Sequence, residues 1–340
     1  MGTKKTYILG IESSCDDTAA AVISDSVILS NVVASQSIHE LYGGVVPELA
    51  SREHQKLILP VVEKVINEAG INISDLSAVA FTYGPGLVGS LMVGTSFAKS
   101  MSLALDIPLI AVNHMQAHIL AHFIHDPDND NPDFPFLALT ISGGHTQIVK
   151  VNSPFEMQVL GETLDDAAGE AFDKSGKVIG LKYPAGPQID KLSKAGDSNK
   201  YNFTKTKVNG LNFSFSGLKT NFLNFINKET RTDKSFIKNN LNSICASLQK
   251  VIVEILMGKL VMASEQTGIK TIVICGGVSA NSEVREELKQ NSEKYGWRIH
   301  IPKISYTTDN AAMIAITGQL KFESELFSNL EISANPRLKI

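Results

Sequence analysis

Four of the eight histidines of this chain lie close together in the sequence. They are His114, His118, His122 and His125, spaced four, four and three residues apart, so a helix would carry all four on one face. Two imidazoles at positions i and i+4 are the commonest way in which one helix offers two nitrogen ligands to a transition metal. A histidine on a helix face more often serves the surface or the core. The spacing therefore indicates a candidate metal site that includes some bystanders.

Asp309 is the candidate oxygen ligand for such a site. The residues Thr307-Thr308-Asp309-Asn310 begin the last predicted helix, and the default interpretation is a helix N-cap at Thr308 or Asp309. The alternative is that Asp309 supplies the carboxylate that the His114 and His118 pair lacks. Two imidazoles and one carboxylate leave coordination positions open, so a metal held in this way would bind a substrate.

Three glycine-rich loops follow predicted strands, where ligands collect in α/β proteins. In the strand–turn–strand at 140–147, Gly143 and Gly144 would let an anion approach the backbone N–H groups. The loop at 275–281 leads from a strand into a helix, a geometry that binds phosphate or purine at a helix N-terminus. For the third loop, 84–89, we favour the interpretation that its glycines serve tight helix packing.

An acidic face is predicted on the helix at 165–179, formed by Asp166, Glu170 and Asp173. Such a face is usually solvated. The functional alternative is a carboxylate aimed at ribose hydroxyls or substrate amines, and Asp173 is the candidate because the glycine-containing turn at 183–187 follows it closely.

The predicted elements occur in the same order twice. The first set has strands at 7–13, 19–24 and 27–35, a helix at 47–69 closed by Gly70, a strand at 77–82, a helix at 87–105 and a strand at 108–112. The second set has strands at 136–142, 145–151 and 157–162, helices at 165–179, 219–226 and 235–265, a strand at 271–275, a helix at 282–294, a strand at 297–301 and a helix at 310–322. This is the layout of the duplicated actin-like, ribonuclease-H-like fold, although no sequence repeat is visible.

The predicted fold class is therefore α/β, with two actin-like lobes and a nucleotide and metal cleft between them. The segment 126–135 is rich in proline and aspartate and suits neither a helix nor an inner strand. We place the lobe boundary there, with an N-terminal lobe at 1–132 and a C-terminal lobe at 133–340, whose last helix could pack back on the first lobe.

Composition limits the function classes. A length of 340 residues allows two domains, and a net charge of −4 gives no global sign of a nucleic-acid binder. Three cysteines without a Cys-x-x-Cys pair argue against a disulfide framework. The most apolar stretch, 86–112, is broken by Lys99 and Asp106, so we expect no membrane span and a cytoplasmic location.

Basic residues concentrate between Lys191 and Asn240, where ten lysines and arginines stand against three acids. Aromatic residues lie among them, namely Tyr201, Phe203, Phe213 and Phe215. This segment is a hypothesis for part of a nucleic-acid face, with a solvated loop over helix packing as an equal alternative.

Eight motifs in order along the chain resemble the bacterial TsaD family of tRNA adenosine threonylcarbamoyltransferases, long labelled glycoproteases. They lie at 10–16, 42–54, 84–89, 99–118, 142–147, 169–174, 213–219 and 276–281. The departures are mild, with Asp17 where the family often has glutamate and Ala185 where it often has glycine.

The resemblance implies transfer of a threonylcarbamoyl group from threonylcarbamoyl-AMP to N6 of the adenosine beside the anticodon, in tRNAs that read codons beginning with A. It implies a TsaB-like paralogous partner and a TsaE-like small ATPase. No membrane partner is expected, because the sequence predicts no membrane span. It also implies one divalent metal, for which we favour iron(II) over zinc, and ATP or AMP would share the cleft with the substrate. The implied metal ligands are His114, His118 and Asp309. The implied substrate-binding residues are Thr140, Ile141, Ser142, Gly143, Gly144, Asp173, Gly186, Asp190 and Asn281.

The residues suit this chemistry, because a metal and the amides of the 142–144 loop would stabilise the charge of the departing phosphate. The nucleophile is an exocyclic amine brought by the tRNA, so Cys15 is expected to be a small buried residue. Asp16, in the first strand turn, is the candidate to position or deprotonate that amine.

Three rival functions fit the residues less well. A helical zinc peptidase needs His-Glu-x-x-His, and here Met115, Gln116 and Ala117 supply no base. A sugar or acetate kinase of the same superfamily would carry an acid where Ser142 precedes the glycines. A tRNA-binding subunit without catalysis is disfavoured by the complete ligand set.

Overall fold

The computed structural model describes residues 5–42, 44–127 and 130–340. Its contacts divide the chain into two compact units, Met1–Pro132 together with Thr308–Ile340, and Asp133–Thr307. In this division the last helix lies in the first unit. Residues 128 and 129 of the predicted boundary segment, and Gly43 of the second motif, lie outside the described residues.

Ten strands and nine α-helices are assigned within the described ranges. The strands are β1 (Ile8–Glu12), β2 (Asp17–Ser24), β3 (Val27–Ser35), β4 (Ala78–Gly84), β5 (Leu109–Asn113), β6 (Phe136–Ile141), β7 (Thr146–Ser153), β8 (Glu156–Glu162), β9 (Thr271–Cys275) and β10 (Arg298–His300). The helices are α1 (Pro47–Ala69), α2 (Val88–Leu105), α3 (His114–Leu120), α4 (Ala168–Val178), α5 (Gly186–Ser193), α6 (Ser216–Thr232), α7 (Phe236–Thr267), α8 (Ser282–Tyr295) and α9 (Ala311–Glu323).

The sheet of the first unit has the order β3-β2-β1-β4-β5. Strands β1, β2 and β3 pair antiparallel, whereas β4 pairs parallel with both β1 and β5. All five residues of β1 are buried, as expected of a central strand covered on both faces. At Gly10 a Cβ would lie 2.6 Å from backbone atoms of Ala311 and Ala315, so the glycine allows α9 to pack directly on β1.

The sheet of the second unit has the order β10-β9-β6-β7-β8, with β6, β7 and β8 antiparallel and β9 parallel to both β6 and β10. Reversed, this is the strand order of the first sheet, so the two units share one topology. The core of the second unit lies around α7, a helix of 32 residues that is buried along most of its length.

Two helix predictions at the histidines and the acids were too long. Helix α3 ends at Leu120, His122 lies in a one-turn 3₁₀ helix (Ala121–Phe123), and His125 lies beyond it. The backbone N–H of His125 donates to Ser26 at the turn between β2 and β3, which draws the chain away from the helix axis. The four histidines therefore do not share one helix face.

Helix α4 begins at Ala168 and not at 165, because the side chain of Asp165 accepts the backbone N–H groups of Phe215 and Ser216. Helix α5 was not predicted. Its first turn contains Gly186 and Pro187, which suggested a turn, but proline is well tolerated at the start of a helix.

No helix in the part of the chain that the structure describes is long and apolar enough to cross a membrane.

Candidate metal centre and substrate loops

Strand β5 passes into α3 without an intervening loop, and Asn113 makes this junction possible. Its side-chain oxygen accepts the backbone N–H groups of Met115 (2.9 Å) and Gln116 (3.3 Å), which caps the helix. His114 is therefore the first helical residue, at the carboxyl edge of the sheet, and His118 lies one turn later on the same face.

The structure brings His114, His118 and Asp309 together, although Asp309 lies 191 residues after His118. One oxygen of Asp309 lies 3.1 Å from Nε2 of His118 and 3.4 Å from Nε2 of His114. The candidate ligand atoms all lie within 4.8 Å of one another, and the two imidazole rings meet edge to face.

The cap of α9 explains why Asp309 faces the histidines. The N-cap is Asn310, whose side chain accepts the N–H of Met313 at 3.1 Å, so the prediction of a cap at Thr308 or Asp309 was wrong. Asp309 precedes the cap, and its carboxylate is therefore not needed by the helix.

Glu12 orients His114, a role that the sequence analysis did not predict. Its Oε2 lies 3.0 Å from Nδ1 of His114 and also accepts the hydroxyl of Thr82 at 2.6 Å, while Oε1 accepts the N–H of Ser14 at 2.5 Å. A carboxylate can only accept hydrogen bonds, so Nδ1 of His114 carries a proton towards Glu12, and Nε2 is the ring nitrogen that faces Asp309. A carboxylate behind a histidine is the usual outer partner of a metal-bound imidazole. The available sequence signal for this role was a glutamate at the end of an otherwise apolar strand.

Electrostatics make the position between Glu12 and Asp309 attractive to a cation. Burial by itself would raise the pKa of both carboxyls, but the His114 imidazole outweighs burial, so the pKa of Glu12 is lowered and that of Asp309 lies well below its usual range. Burial would lower the pKa of His114, yet the two carboxylates raise it well above the usual value. The same two negative charges would favour a metal ion at this position.

A transition metal suits this set of ligands. Two imidazole nitrogens and one carboxylate oxygen converge, and the imidazoles are almost fully buried. Nδ1 of His118 is buried and has no hydrogen-bond partner among the described residues, so a ligand bond at Nε2 would be the main polar interaction of that ring.

Asp16 lies in the turn between β1 and β2, where His54 and Ser90 hold the backbone. The His54 Nε2 and the Ser90 hydroxyl both donate to the carbonyl of Cys15, at 3.0 and 3.1 Å. Cys15 itself is only partly buried, and burial together with the charge of Asp16 raises the pKa of its thiol far above the usual value. The prediction that Cys15 is buried is therefore wrong, but a thiol held neutral in this way is still a poor nucleophile.

The first predicted substrate loop closes the hairpin between β6 and β7. Thr140 and Ile141 are buried, so only their backbone could reach a ligand, and Ser142 is partly buried. Gly143 and Gly144 are exposed, and a Cβ at either would meet open space. The two glycines therefore leave room for a ligand beside the backbone.

Two further glycines pack other elements against this loop. A Cβ at Gly169, in α4, would meet the Ser142 carbonyl at 2.6 Å, and one at Gly276, after β9, would meet the Ile141 carbonyl at 2.5 Å. The start of α4 and the second glycine loop thus both lie against the end of β6.

The other predicted substrate residues are joined by hydrogen bonds in the same unit. Asp173 accepts the N–H of Ala185 at 2.7 Å at the start of α5, and burial raises its pKa although the N–H groups of Ala185 and Gly186 oppose this. Asp190 accepts both the N–H and the hydroxyl of Ser282, at 3.1 and 2.7 Å.

Asn281 caps α8 through the N–H of Val284 and donates to Gln249 at 2.7 Å. Both the oxygen and the nitrogen of its side-chain amide are thus hydrogen-bonded within the protein. The metal residues all belong to the first unit and the substrate residues all to the second.

The rest of the acidic face is an ion-pair network. Asp166 binds Lys174 at 2.7 Å and Lys219 at 2.8 Å, and Glu170 also binds Lys174. Of the three acids, Asp173 alone remains a substrate candidate.

The basic segment is exposed, but its aromatic residues are not available to stack on bases. Phe203, Phe213 and Phe215 are buried in the core of the second unit, and Tyr201 packs against Phe225 and Phe236. The stacking part of the nucleic-acid hypothesis is therefore wrong, whereas the charges remain on the surface.

The sequence matches known proteins over its whole length. Residues 27–316 match the TsaD family, described as tRNA N6-adenosine threonylcarbamoyltransferase. A protein of that name from Christiangramia forsetii is 58% identical over 339 residues, covering all of both chains. Another from Riemerella anatipestifer is 57% identical and covers 99% of each chain, and one from Phocaeicola vulgatus is 54% identical over 98% of this chain and 99% of its own.

Three solved structures share the fold. They are full-length HypF (TM-score 0.63, 13% identity, 95% of this chain and 47% of that one), component A of the Acidaminococcus fermentans (R)-2-hydroxyglutaryl-CoA dehydratase (0.53, 15%, 92% and 96%) and the ROK hexokinase of Thermus thermophilus (0.51, 15%, 94% and 100%). At these identities the likeness shows the fold alone. These proteins have the actin-like ATPase fold, so the predicted α/β class with two actin-like lobes is confirmed.

Proposed function

The chain belongs to the TsaD family of tRNA N6-adenosine threonylcarbamoyltransferases, and we propose that it binds one divalent metal at His114, His118 and Asp309 to perform that family's reaction. It is a transferase that converts an adenosine in tRNA to threonylcarbamoyladenosine. The reaction forms a bond between N6 of adenosine and the carbamoyl carbon of threonylcarbamoyl-AMP. The bond from that carbon to the phosphate oxygen breaks, AMP leaves, and N6 loses a proton.

The convergence of Nε2 of His114, Nε2 of His118 and one oxygen of Asp309 is the observation that supports the metal. Iron(II) is the proposed ion in preference to zinc, because two histidines and one carboxylate with open positions suit non-haem iron. When bound, the ion supplies positive charge that stabilises the developing phosphate charge. Glu12 holds the His114 ring so that Nε2 faces the ion and Nδ1 keeps its proton.

The substrate site is proposed on the second unit. The exposed backbone of Gly143 and Gly144 has room to donate N–H groups to the phosphate of threonylcarbamoyl-AMP, or of ATP or AMP at the same place. Thr140, Ile141 and Ser142 contribute the end of β6 that carries this backbone. Asp173, Gly186, Asp190 and Asn281 form the remaining wall, in which Asp173 is the carboxylate offered to ribose hydroxyls or to the threonyl amine.

Asp16 is proposed to receive the proton of the N6 amine or to orient that amine. It is held for this role by the hydrogen bonds of His54 and Ser90 to the neighbouring Cys15 carbonyl.

The partners proposed besides the tRNA are a TsaB-like paralogue, which would pair with this chain as a heterodimer, and a TsaE-like small ATPase. The proposed location is the cytoplasm, where the tRNA substrate occurs.

The two enzymatic rivals lose support at the site. Both oxygens of Glu12 are occupied by His114, Thr82 and Ser14, so its carboxylate is not available to activate water as a peptidase requires. Ser142 stands where a kinase of this fold would need an acid, and its hydroxyl accepts the N–H of His145 at 3.1 Å.

The test is a modification assay with the metal content measured in parallel. The iron-loaded chain is incubated with threonylcarbamoyl-AMP, both partners and unmodified tRNA, and the tRNA is digested to nucleosides for mass spectrometry. His118→Ala should lose bound metal and reduce modification by at least about a hundredfold. His125→Ala, at an exposed histidine beyond α3, is the matched control and should do neither. Full modification by His118→Ala would contradict the proposal.

A further inference from the structure

The C-terminal tail, residues 324–340, runs beside the outer edge of β5 and then reaches the carboxyl ends of β4 and β5 in the first unit. Ser328 exchanges hydrogen bonds with β5, its N–H donating to the Leu109 carbonyl at 2.8 Å and its hydroxyl accepting the Ala111 N–H at 3.0 Å. Ile332 packs against the apolar core of the unit. The N–H of Asn335 donates to the Tyr83 carbonyl at 2.7 Å. The tail is therefore anchored at three successive points.

Gly84 and Gly86 make room for this tail and for the first strand turn. A Cβ at Gly84 would overlap the carbonyl oxygen of Asn335, and one at Gly86 would lie 2.5 Å from the Ser14 carbonyl. The backbone N–H of Gly86 also donates to the Pro336 carbonyl at 3.3 Å. Gly84 and Gly86 therefore serve close backbone approach, and Gly84 serves the tail in particular. The predicted role of this loop in tight helix packing holds for Gly89, where a Cβ would lie 3.0 Å from the Ser51 side chain in α1.

The last residues of the tail contact Asn113, the residue that caps α3. The Asn113 side-chain nitrogen donates to the Lys339 carbonyl at 2.9 Å, while its oxygen accepts the N–H groups of Met115 and Gln116. Asn113 is 4% exposed, so each side of its amide depends on these partners. A single planar amide thus joins the tail to the first turn of α3, and His114 is the next residue.

We infer that the C-terminal tail is a positioning element of the metal centre. The Lys339 carbonyl fixes the plane of the Asn113 amide, and that plane fixes the start of α3, from which both His114 and His118 project. Without this bond the amide could rotate about its side chain and leave either the helix N–H groups or its own N–H group unpaired in a buried place. The inference rests on the proposed metal site and assigns that site a support that comes from the end of the chain.

The experiment measures the affinity of the full-length chain for Co²⁺, by competition with a chromophoric chelator, together with the visible absorption spectrum of the bound Co²⁺. Asn113→Ser keeps a capping hydroxyl and removes the donor to Lys339. Gly84→Ala keeps Asn113 and displaces the tail. Asn72→Ser makes the same substitution at the N-cap of the one-turn 3₁₀ helix Ile73–Asp75 in the first unit, which contains no metal residue, and serves as the matched control. Circular dichroism and the thermal unfolding of the metal-free variants report whether each one folds.

Asn113→Ser and Gly84→Ala should each weaken Co²⁺ binding about tenfold and change its spectrum, the size of effect typical of an outer partner of a metal ligand. The double variant should bind no more weakly than the weaker single variant, because both changes break one connection. Asn72→Ser should bind as the wild type does.

Wild-type affinity and spectrum in a folded Asn113→Ser variant would overturn the inference and leave the metal centre intact. If Gly84→Ala does not fold, Asn113→Ser decides alone. A wild-type chain that binds no Co²⁺ would instead contradict the proposed metal site, and the inference with it.

Discussion

Glu12 shows how a single buried charge can prepare a metal ligand. It is 1% exposed, and its desolvation is offset by three donors, the Ser14 N–H, the Thr82 hydroxyl and the His114 Nδ1. Ionised carboxylates are rarely buried unless they are fully paired in this way. The site therefore maintains a negative charge behind His114, which makes its Nε2 a stronger ligand.

The prediction at this scale concerns that charge. Glu12→Gln keeps an acceptor for the His114 N–H but removes the negative charge, so metal binding should weaken about tenfold to a hundredfold. Competition with a chelator measures the effect. Glu48→Gln is the control, because Glu48 forms only an exposed pair with Arg52 and should leave the affinity unchanged. Equal affinity of Glu12→Gln and the wild type would refute the role of Glu12.

The sequence predicts individual ligands only where spacing is informative. His114 and His118 were identified as a pair because one helical turn separates them. Asp309 remained one of two interpretations, since nothing local tells a ligand from a cap and its partners lie 191 residues away or more. Glu12 was missed because the burial of an acid depends on donors from three different segments.

Among the elements, the contact between α9 and β1 fixes the position of Asp309. The helix carries Asp309 just before its first turn, and it packs on β1 where Gly10 has no side chain. Gly318 makes a second close approach, because a Cβ there would meet the side chain of Ala80 in β4. Small residues on α9 and on the strands under it thus determine how closely α9 packs on the sheet, and thereby where Asp309 lies relative to the histidines.

Gly10→Ala tests this contact. The added methyl group would lie 2.6 Å from the backbone of Ala311 and Ala315, so α9 must shift, and overpacking of this kind costs about 1–3 kcal/mol of the free energy of unfolding. Urea denaturation should show that loss, and metal affinity should fall with it. Gly258→Ala inside α7 meets no atom within 4 Å and should stabilise the protein by about 1 kcal/mol. A neutral Gly10→Ala would show that the helix does not depend on this contact.

Strands and long helices were predicted well, because alternation and helical periodicity extend over many residues. Val27–Ser35 and Pro47–Ala69 have the predicted bounds. The errors lie where side chains from distant segments end or begin a helix. The Asp165 carboxylate accepts a hydrogen bond from the backbone at the start of α6, and the backbone N–H of His125 donates to Ser26. Such contacts leave no local pattern.

At the scale of the whole chain, two sheets with one strand order arise from sequences without a visible repeat. The order of elements predicted this, because three meandering strands followed by parallel crossovers suit few other arrangements. The membership of the last helix could not be decided from its sequence. Helix α9 is buried on nearly all sides, so its pattern of residues does not distinguish one sheet from the other.

Surface charge is also a property of the whole chain, since a net charge of −4 hides a basic segment in the second unit. Two of its lysines are neutralised, Lys205 by Glu254 and Lys219 by Asp166. Lys228 and Arg231 belong to the same segment and lie exposed on α6, about one turn apart.

We expect Lys228→Glu/Arg231→Glu to weaken tRNA binding about tenfold at moderate salt, because contacts to phosphates are lost. Each lost phosphate contact should also reduce the slope of log affinity against log salt concentration by about one. Filter binding over a range of salt concentrations measures both quantities. Lys289→Glu/Lys294→Glu makes the same change of charge on α8 and should have a smaller effect if the basic segment holds the tRNA. Equal losses in the two double variants would mean that the tRNA responds to net charge alone, and unchanged binding of Lys228→Glu/Arg231→Glu would place the tRNA on another surface.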